Sequence, residues 1–361
     1  MKKEQIIKYF ETGIKNIKDF KIGIEHEKFL FNKNENKRAD YKTMLKMFDA
    51  LSEFGWKPIM EKKNIIGLQK QGKSITLEPG NQIELSGDKL NNIHEACSES
   101  HDYLFELQLV TKKLGLKIVS AGFDPISILS EVPNNPKQRY KVMTKDMPKG
   151  GSLSLDMMYR TCGTQLNLDY DSEKDFIKKF KIINSIVPIS IALFANSSIV
   201  EKKNSGYMSY RSKVWQETSR GGLPEIFFDN MNFEKYADFT INFPLLFIQN
   251  GKDYISGKNY KFSDFMNGKV KEINNRLPVE NDLTTHLSTI FTENRLKQYI
   301  ELRSMDTCGW DCLCAGPAFN TGILYGNLDE AYELISKWDK NKIINAYLEA
   351  PKKGFNTELM G

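Results

Sequence analysis

Hydrophobic and polar positions alternate along this chain with two different periods. Apolar residues three to four positions apart predict amphipathic helices, and alternation in steps of two predicts half-buried strands. The predicted helices cover residues 4–17, 42–54, 91–114, 173–185, 209–217, 262–268 and 312–337. The predicted strands lie within 21–31, 65–85, 117–121, 162–170 and 299–304. Strands with intervening helices and hairpin-like neighbours predict an α+β fold around a mainly antiparallel sheet.

The predicted strands carry acidic or amide side chains on one face only. In the first strand, Glu25 and Glu27 share a face, and Ile24 and His26 lie on the other. The same alternation recurs at Thr76 and Glu78, Gln82 and Glu84, Gln165 and Asn167, and Glu301 and Arg303. One such pair alone is typical of a solvated strand face. The recurrence predicts a sheet with one acid-rich face and one core face.

The acid-rich face has a chemical consequence if its glutamates converge. Like charges ~5 Å apart at an effective dielectric constant near ~20 repel by roughly 3 kcal/mol per pair, so such a site needs cations. Carboxylate oxygens favour Mg²⁺ or Mn²⁺ over zinc, and Mg²⁺ in such sites usually bridges nucleotide phosphates. Arg211, Arg220 and Arg303 are candidates to bind a substrate carboxylate or a transferring phosphoryl group. The pattern predicts ATP- and Mg²⁺-dependent phosphoryl transfer or ligation.

Composition narrows the class of protein. The chain has 361 residues, 40% hydrophobic and 27% charged, enough for one large domain or two ordinary ones. A formal charge of +5, with short and scattered lysine runs, disfavours nucleic-acid binding. The longest apolar run is too short to span a membrane, and no apolar secretory segment follows Met1. We therefore expect a cytoplasmic enzyme acting on small molecules, as a monomer or homodimer, with no membrane or nucleic-acid partner.

A complete Walker A pattern, GxxxxGK[ST], occurs at Gly67–Ser74. The phosphate-binding loop works only where it opens a helix, whose N-terminal amides face the phosphates. Here the next residues, Ile75–Gly80, alternate like a strand and then turn. The segment is therefore interpreted as a β-hairpin turn.

Cysteine and histidine suggest no competing chemistry. Five cysteines without a CxxC pair, in a chain without a secretory signal, make obligate disulfides unexpected. Cys308, Cys312 and Cys314 lie close together, but no fourth ligand has zinc-type spacing, and buried thiols are the favoured interpretation. The four histidines do not assemble a nucleophilic triad from their spacing.

These same segments resemble glutamate–cysteine ligases of the plant and proteobacterial type. The resemblance spans about residues 20–361, in order along the chain. It is carried by six stretches, namely Gly23–Phe29 (GIEHEKF), Thr76–Gly87, Asp156–Asp169, Ala192–Ser197, Met208–Trp215 and Leu313–Phe319. It implies a glutamine synthetase-like fold, in which a curved antiparallel sheet forms a bowl with helices outside. It also implies ATP-dependent joining of the glutamate γ-carboxylate to the cysteine amine through a γ-glutamyl phosphate.

The resemblance assigns roles to individual residues. The implied metal ligands are Glu25, Glu27, Glu78, Glu84 and Glu301, with Gln165 and Asn167 lining the metal and nucleotide floor. Arg303 resembles the arginine that stabilises phosphoryl transfer, and Arg220 is expected to reach phosphate. Arg211 with Trp215 resembles part of the glutamate site. Cys97 and Cys314 resemble one of the redox-regulatory cysteine pairs of plant members.

The resemblance also bounds the domain and leaves alternatives open. We expect one catalytic domain over 1–361 that lacks part of the family's C-terminal helical region. One alternative is another carboxylate–amine ligase on the same fold, which joins glutamate to a different amine. The other is a truncated homologue that binds nucleotide without turnover. The intact set of site carboxylates with Arg303 argues against the non-catalytic alternative, since clustered charges are costly to keep.

Overall fold

A nine-stranded antiparallel sheet forms the centre of the fold. The computed structural model describes residues 1–360. Its strands are β1 Ile22–Asn32, β2 Lys57–Glu61, β3 Asn64–Lys70, β4 Lys73–Leu77, β5 Ile83–Ser86, β6 Leu116–Val119, β7 Gly163–Leu168, β8 Ile199–Val200, β9 Lys203–Asn204, β10 Phe247–Asn250, β11 Asp253–Ser256, β12 Asn294–Leu296 and β13 Ile300–Asp306. The large sheet has the order β12-β13-β7-β1-β5-β4-β3-β2, and β6 pairs with the C-terminal part of β1. The pairs β8–β9 and β10–β11 are separate hairpins.

Helices surround this sheet. They are α1 Lys3–Glu11, α2 Tyr41–Ser52, α3 Ile93–Lys113, α4 Gln138–Asp146, α5 Ser154–Arg160, α6 Glu173–Ser185, α7 Val187–Leu193, α8 Tyr210–Gln216, α9 Phe233–Asn242, α10 Phe262–Met266, α11 Glu280–Ser288, α12 Trp310–Leu313, α13 Ala315–Thr321, α14 Leu328–Ile335 and α15 Lys340–Lys353. Several begin at a side-chain cap, as α3 does at Asn92, which accepts from the backbone of His94 and Glu95. No helix in residues 1–360 is long and apolar enough to cross a bilayer.

The two faces of the central strands differ as the alternation predicts. Ile24 and Leu166 are buried against the outer helices and share a core cluster with Phe180 of α6. His26 also lies on this outer face, fully buried against Tyr103 of α3. The opposite face carries the polar side chains. The α+β class with an antiparallel sheet and outer helices is confirmed.

Some predicted elements end earlier than the apolar spacing suggests. The helix predicted over 4–17 ends at Glu11, and at Gly13 the chain passes so close to the Gln298 backbone that a Cβ would lie 2.5 Å from its carbonyl oxygen. The helix predicted over 312–337 is divided into α12, α13 and α14 with a π-helical turn at Gly322–Gly326.

The Walker A segment is a hairpin, as the strand-like sequence after it predicts. β3 and β4 pair antiparallel, and their turn places Gln71 at φ 47° and Gly72 at φ 83°. Two successive positive φ values match the type I′ turn of a two-residue hairpin. The segment therefore opens no helix and offers no phosphate cradle.

Candidate active site

Cross-strand pairing brings the acidic residues of distant segments onto one face. Glu27 lies opposite Glu84, and Glu25 lies opposite Gln165 on one side and Ser86 on the other. Directly opposite residues share a face of the sheet with their Cβ atoms about 4.5–5.5 Å apart. The predicted acid-rich face is therefore built by register alone.

Glu78 joins this group from a tight turn after β4. The turn is fixed by Arg38, which is buried, donates to the carbonyl oxygen of Gly80 and pairs with Asp124 at 2.9 Å. Gly80 is needed there because a Cβ would lie 2.5 Å from the Tyr159 carbonyl oxygen. The buried ion pair thus positions a carboxylate of the site from behind.

A cavity of about 180 Å³ lies over this face. Its floor comes from the sheet, and its other wall comes from α4, β10 and the end of α11. The lining residues are Glu25, Glu27, Glu78, Glu84, Gln165, Arg303, Arg139, Tyr140, Met143, Phe247, Ser288, Thr289, Phe291 and Arg295. Four of the five predicted metal ligands, with Arg303 and Gln165, therefore line one cavity.

The carboxylates in the cavity outnumber their cationic partners. Burial, with the Glu78 charge adding to its effect, raises the pKa of Glu27 to about 7, although the Gly163 N–H, which donates to Glu27 at 2.7 Å, acts in the opposite direction. Burial also raises the pKa of Glu84 well above its usual range, with the neighbouring carboxylates adding to the effect. Burial acts in the same direction on Glu78, but Lys137 and then Arg139 hold its pKa below the usual value. Crowded carboxylates of this kind are stabilised by added positive charge.

Glu301 is the exception among the predicted ligands. Burial raises the pKa of its carboxyl, but Arg295, Lys297 and Arg303 together hold that pKa well below its usual range. Arg295 binds it with three hydrogen bonds of 2.6 to 3.0 Å, and Lys297 lies 2.7 Å away. Glu301 is fully buried and does not line the cavity. Its expected role as a metal ligand is therefore not supported, because three cations already occupy its oxygens.

The types of donor atom that line the cavity suit Mg²⁺. The cavity lining contains four carboxylates and an amide, and no cysteine or histidine. Such oxygen donors suit Mg²⁺ or Mn²⁺ rather than zinc. Within residues 1–360, no three acidic, histidine or cysteine side chains are grouped closely enough to hold a metal ion by themselves. Mg²⁺ typically keeps several ligands from water and substrate phosphates, so an open arrangement is compatible with it.

Two of the expected substrate residues lie behind the cavity wall. The Trp215 ring lies between two guanidinium groups, that of Arg211 at 5.2 Å and that of Arg303 at 5.3 Å from its centroid. Arg211 donates to the carbonyl oxygen of Arg303 at 2.8 Å and is buried. Arg303 itself donates to Gln165 at 2.8 Å. Trp215 and Arg211 therefore support Arg303, which faces the cavity.

Arg220 does not reach this group. Its guanidinium donates to Thr289 through two nitrogens and to the Pro244 carbonyl oxygen through the third, each at 2.9 Å. Burial lowers the pKa of Arg220 to about 9. The expectation that Arg220 reaches a phosphate is therefore not supported, because its donors hold the turn that presents Ser288 and Thr289. Asn167 donates to Glu25 at 2.8 Å at the margin of the floor.

Sequence reasoning missed the wall formed by α4. Arg139 and Tyr140 line the cavity, and the Tyr140 hydroxyl donates to Glu78 at 3.0 Å. The helix was not predicted, because its polar sequence has only weak apolar periodicity. The charged and aromatic residues at the start of α4 were the available signal. Arg295 was also missed, since its three-residue strand is too short to register as a pattern.

More cysteines form disulfide bonds than the composition suggests. Cys97 of α3 is bonded to Cys314, with their Cα atoms 5.8 Å apart, and Cys308 is bonded to Cys312. The expectation of free thiols is therefore wrong for Cys308 and Cys312, which the turn at Gly309 brings together, whereas Cys97 and Cys314 are the two residues that the resemblance pairs. Within residues 1–360, Cys162 is free and buried. Redox regulation by Cys97 and Cys314 stays a prediction.

Comparison with known proteins gives one family. Residues 21–361 match the model described as glutamate-cysteine ligase family 2. The chloroplastic glutamate–cysteine ligase of Nicotiana tabacum is 41% identical over 97% of this chain and 69% of its own length. Chloroplastic glutamate–cysteine ligase B of Oryza sativa subsp. japonica is 40% identical over 98% of this chain and 73% of its own length.

A solved structure titled "Apo GmaS without ligand" aligns with 91% of this chain and 70% of its own at 12% identity. Its TM-score of 0.29 is too low to carry an argument.

The comparisons overturn the expected location. Both plant relatives are named as chloroplastic proteins, so the expectation of a cytoplasmic protein is wrong. That expectation rested on the absence of a secretory signal, which does not distinguish cytoplasm from plastid.

Proposed function

This chain belongs to glutamate–cysteine ligase family 2, and we propose on that premise that it joins the γ-carboxylate of glutamate to the amine of cysteine, with ATP as the phosphoryl donor. The γ-phosphoryl group of ATP passes to the γ-carboxylate, and ADP leaves. The cysteine amine then attacks the acyl carbon of γ-glutamyl phosphate, loses a proton and displaces phosphate. The product, γ-glutamylcysteine, is the first intermediate of glutathione synthesis.

One observation carries this proposal. In this chain, which belongs to the family, four carboxylates share a cavity with Arg303. They come from β1, from β5 and from the turn that follows β4. A transferring phosphoryl group is stabilised by a cation that carboxylates hold and by an arginine that faces this cation.

The proposal assigns a task to each side of the cavity. Glu25, Glu27, Glu78 and Glu84 would hold Mg²⁺. When bound, this ion neutralises charge on nucleotide phosphates. Arg303 is held by Gln165 and Glu301 and offers its guanidinium to a phosphoryl oxygen.

The opposite wall binds and orients substrates. Arg139 lies 4.0 Å from Glu78 and can bind a substrate carboxylate at this half-buried wall. Met143 and Phe247 line the same wall and exclude water from the reacting groups. Arg211 and Trp215 act through Arg303 as positioning residues.

Phosphate release tests the proposal directly. The chain is supplied with ATP, Mg²⁺ and glutamate, with and without cysteine, and ADP, phosphate and γ-glutamylcysteine are measured. The proposal expects product only when all components are present, in equal amounts with phosphate. Reactions in which alanine, glycine or ammonia replaces cysteine test the ligase for another amine. Absent turnover despite ATP binding would support the non-catalytic alternative.

The extent of the catalytic unit is part of the same proposal. The cavity residues come from positions as far apart as Glu25 and Arg303, and their strands pair in one sheet. We therefore treat residues 1–361 as one catalytic unit, whose partners are its small-molecule substrates.

A further inference from the structure

Glu293 is a buried acid that the proposed reaction does not use. It is 2% exposed and precedes β12, behind the cavity wall. Within residues 1–360 it forms no ion pair, and its one side-chain partner is the Tyr347 hydroxyl, which donates to Oε1 at 2.9 Å. A buried carboxylate with one neutral donor is under-satisfied, since an ionised carboxylate accepts several hydrogen bonds.

Backbone contacts fix Glu293 directly beside the arginine pair. Its carbonyl oxygen accepts from the Arg303 N–H at 2.9 Å, and its own N–H donates to Gly222 at 2.9 Å. Arg211 in turn donates to the Arg303 carbonyl oxygen. Burial raises the pKa of the Glu293 carboxyl, whereas the charges of Arg211 and Arg303 oppose that rise.

The arginines still have free donors. The Nε atoms of Arg211 and Arg303 are buried and have no hydrogen-bond partner within residues 1–360, and the same holds for Nε1 of Trp215 between them. Buried donors without partners are uncommon and costly. Of these three residues Arg303 lines the cavity, so its guanidinium is the one that a ligand carboxylate and Glu293 would compete for.

Tyr347 is held in place independently of the arginines. It belongs to α15, whose buried residues Ile343 and Ala350 pack in one cluster with Val187 of α7. Gln216 of α8 donates to the Tyr347 carbonyl oxygen at 2.6 Å. The position of its hydroxyl is therefore set by helix packing.

We propose that Tyr347 is a positioning residue that holds the Glu293 carboxylate away from Arg211 and Arg303, so that the guanidinium of Arg303, which lines the cavity, remains available to the γ-carboxylate of glutamate. The inference rests on the proposed function for the identity of the ligand. If the hydroxyl is removed, Glu293 loses its partner and turns to the nearest donors, which are the two arginines. Glu293 then competes with the substrate.

Calorimetric titration with glutamate tests this in the 361-residue chain. Tyr347→Phe is expected to weaken the Kd for glutamate about tenfold and to raise its KM similarly, with kcat changed less than about threefold. The double variant Tyr347→Phe with Glu293→Gln removes the competing charge and is expected to restore the Kd to within about threefold. A merely structural role of the hydroxyl predicts no such rescue.

The matched control is Tyr332→Phe on α14, a half-buried tyrosine whose hydroxyl has no hydrogen-bond partner within residues 1–360. It should leave the Kd and KM for glutamate unchanged. Unchanged affinity in Tyr347→Phe, or no recovery in the folded double variant, overturns the inference. If the unaltered chain binds glutamate but forms no γ-glutamylcysteine, only the proposed function fails. If it binds no glutamate, both fail.

Discussion

Two parts of the same sheet face use glutamate in opposite ways. Where β1 and β5 meet, Glu27 and Glu84 face each other, and burial raises the pKa of both. Where β13 meets β12, Glu301 lies opposite Arg295 and is held by three cations. One end of the face has excess negative charge, and the other end is internally compensated.

The difference shows that a carboxylate's role depends on the neighbour that the register supplies. A glutamate opposite another glutamate is available to an added cation. A glutamate opposite an arginine is part of the protein's own structure, and removing its charge leaves buried cations without a partner. Glu84 and Glu301 therefore respond differently to the same substitution.

The largest effect is expected at the compensated end. Glu301→Gln removes the carboxylate that the buried Arg295 and Arg303 and the half-buried Lys297 share, so the free energy of unfolding should fall by about 3–5 kcal/mol. Urea denaturation measures this. Glu280→Gln, at an exposed position at the start of α11, is the control and should change stability by no more than about 0.5 kcal/mol. A loss below about 1 kcal/mol in Glu301→Gln would show that the three cations do not depend on this carboxylate.

The next effect is expected on activity at the uncompensated end. Glu27→Gln keeps the shape of the side chain but removes a cation ligand, so kcat should fall about 10²- to 10³-fold. Its stability should not fall as in Glu301→Gln, because no cation is left unpaired. Steady-state turnover and urea denaturation on the same preparation separate the two properties. Near-normal turnover would show that the metal site is misplaced.

Local periodicity was sufficient for the parts of the fold that are regular. The alternation at Gly23–Phe29 predicts which residues of β1 face the acids, and the helix over 173–185 matches α6. The short elements β12 and α5 were not predictable, because three to seven residues contain too little of either period. Their positions are set by tertiary packing.

The site was predictable as a set of acids but not as a set of pairs. Alternation placed Glu301 on the acid face correctly, but nothing local indicated that Arg295 would lie opposite it. Arg220 likewise carries a charge suited to phosphate, yet its donors are taken by Thr289 and Pro244 from other segments. The pairing between strands and loops determines which charged side chains remain without a partner. This pairing cannot be deduced from a single sequence.

A smaller effect on stability is expected when a carboxylate of the uncompensated end is removed and no Mg²⁺ is present. Glu84→Gln should change the free energy of unfolding by less than about 1 kcal/mol without Mg²⁺, because within residues 1–360 Ser86, at 3.1 Å, is the one side chain that donates to Glu84. Added Mg²⁺ should raise the melting temperature of the unaltered protein and have a weaker effect in Glu84→Gln, since a ligand that binds the folded state stabilises it. Ca²⁺-free, EDTA-treated samples give the baseline. Equal Mg²⁺ stabilisation of both proteins would remove Glu84 from the metal site.

The smallest effect is expected outside the face, at the hairpin that carries the Walker A pattern. Lys73→Met removes the lysine that would contact phosphate in a genuine phosphate-binding loop. In this structure Lys73 begins the strand β4, and its ammonium lies 3.8 Å from Glu99 of α3. The KM for ATP and kcat should therefore stay within about twofold of the unaltered protein, because β4 contributes no donor to the lining of the cavity. A loss of kcat comparable to that of Glu27→Gln would place ATP at the hairpin and would break the contrast between the two ends of the acid-rich face.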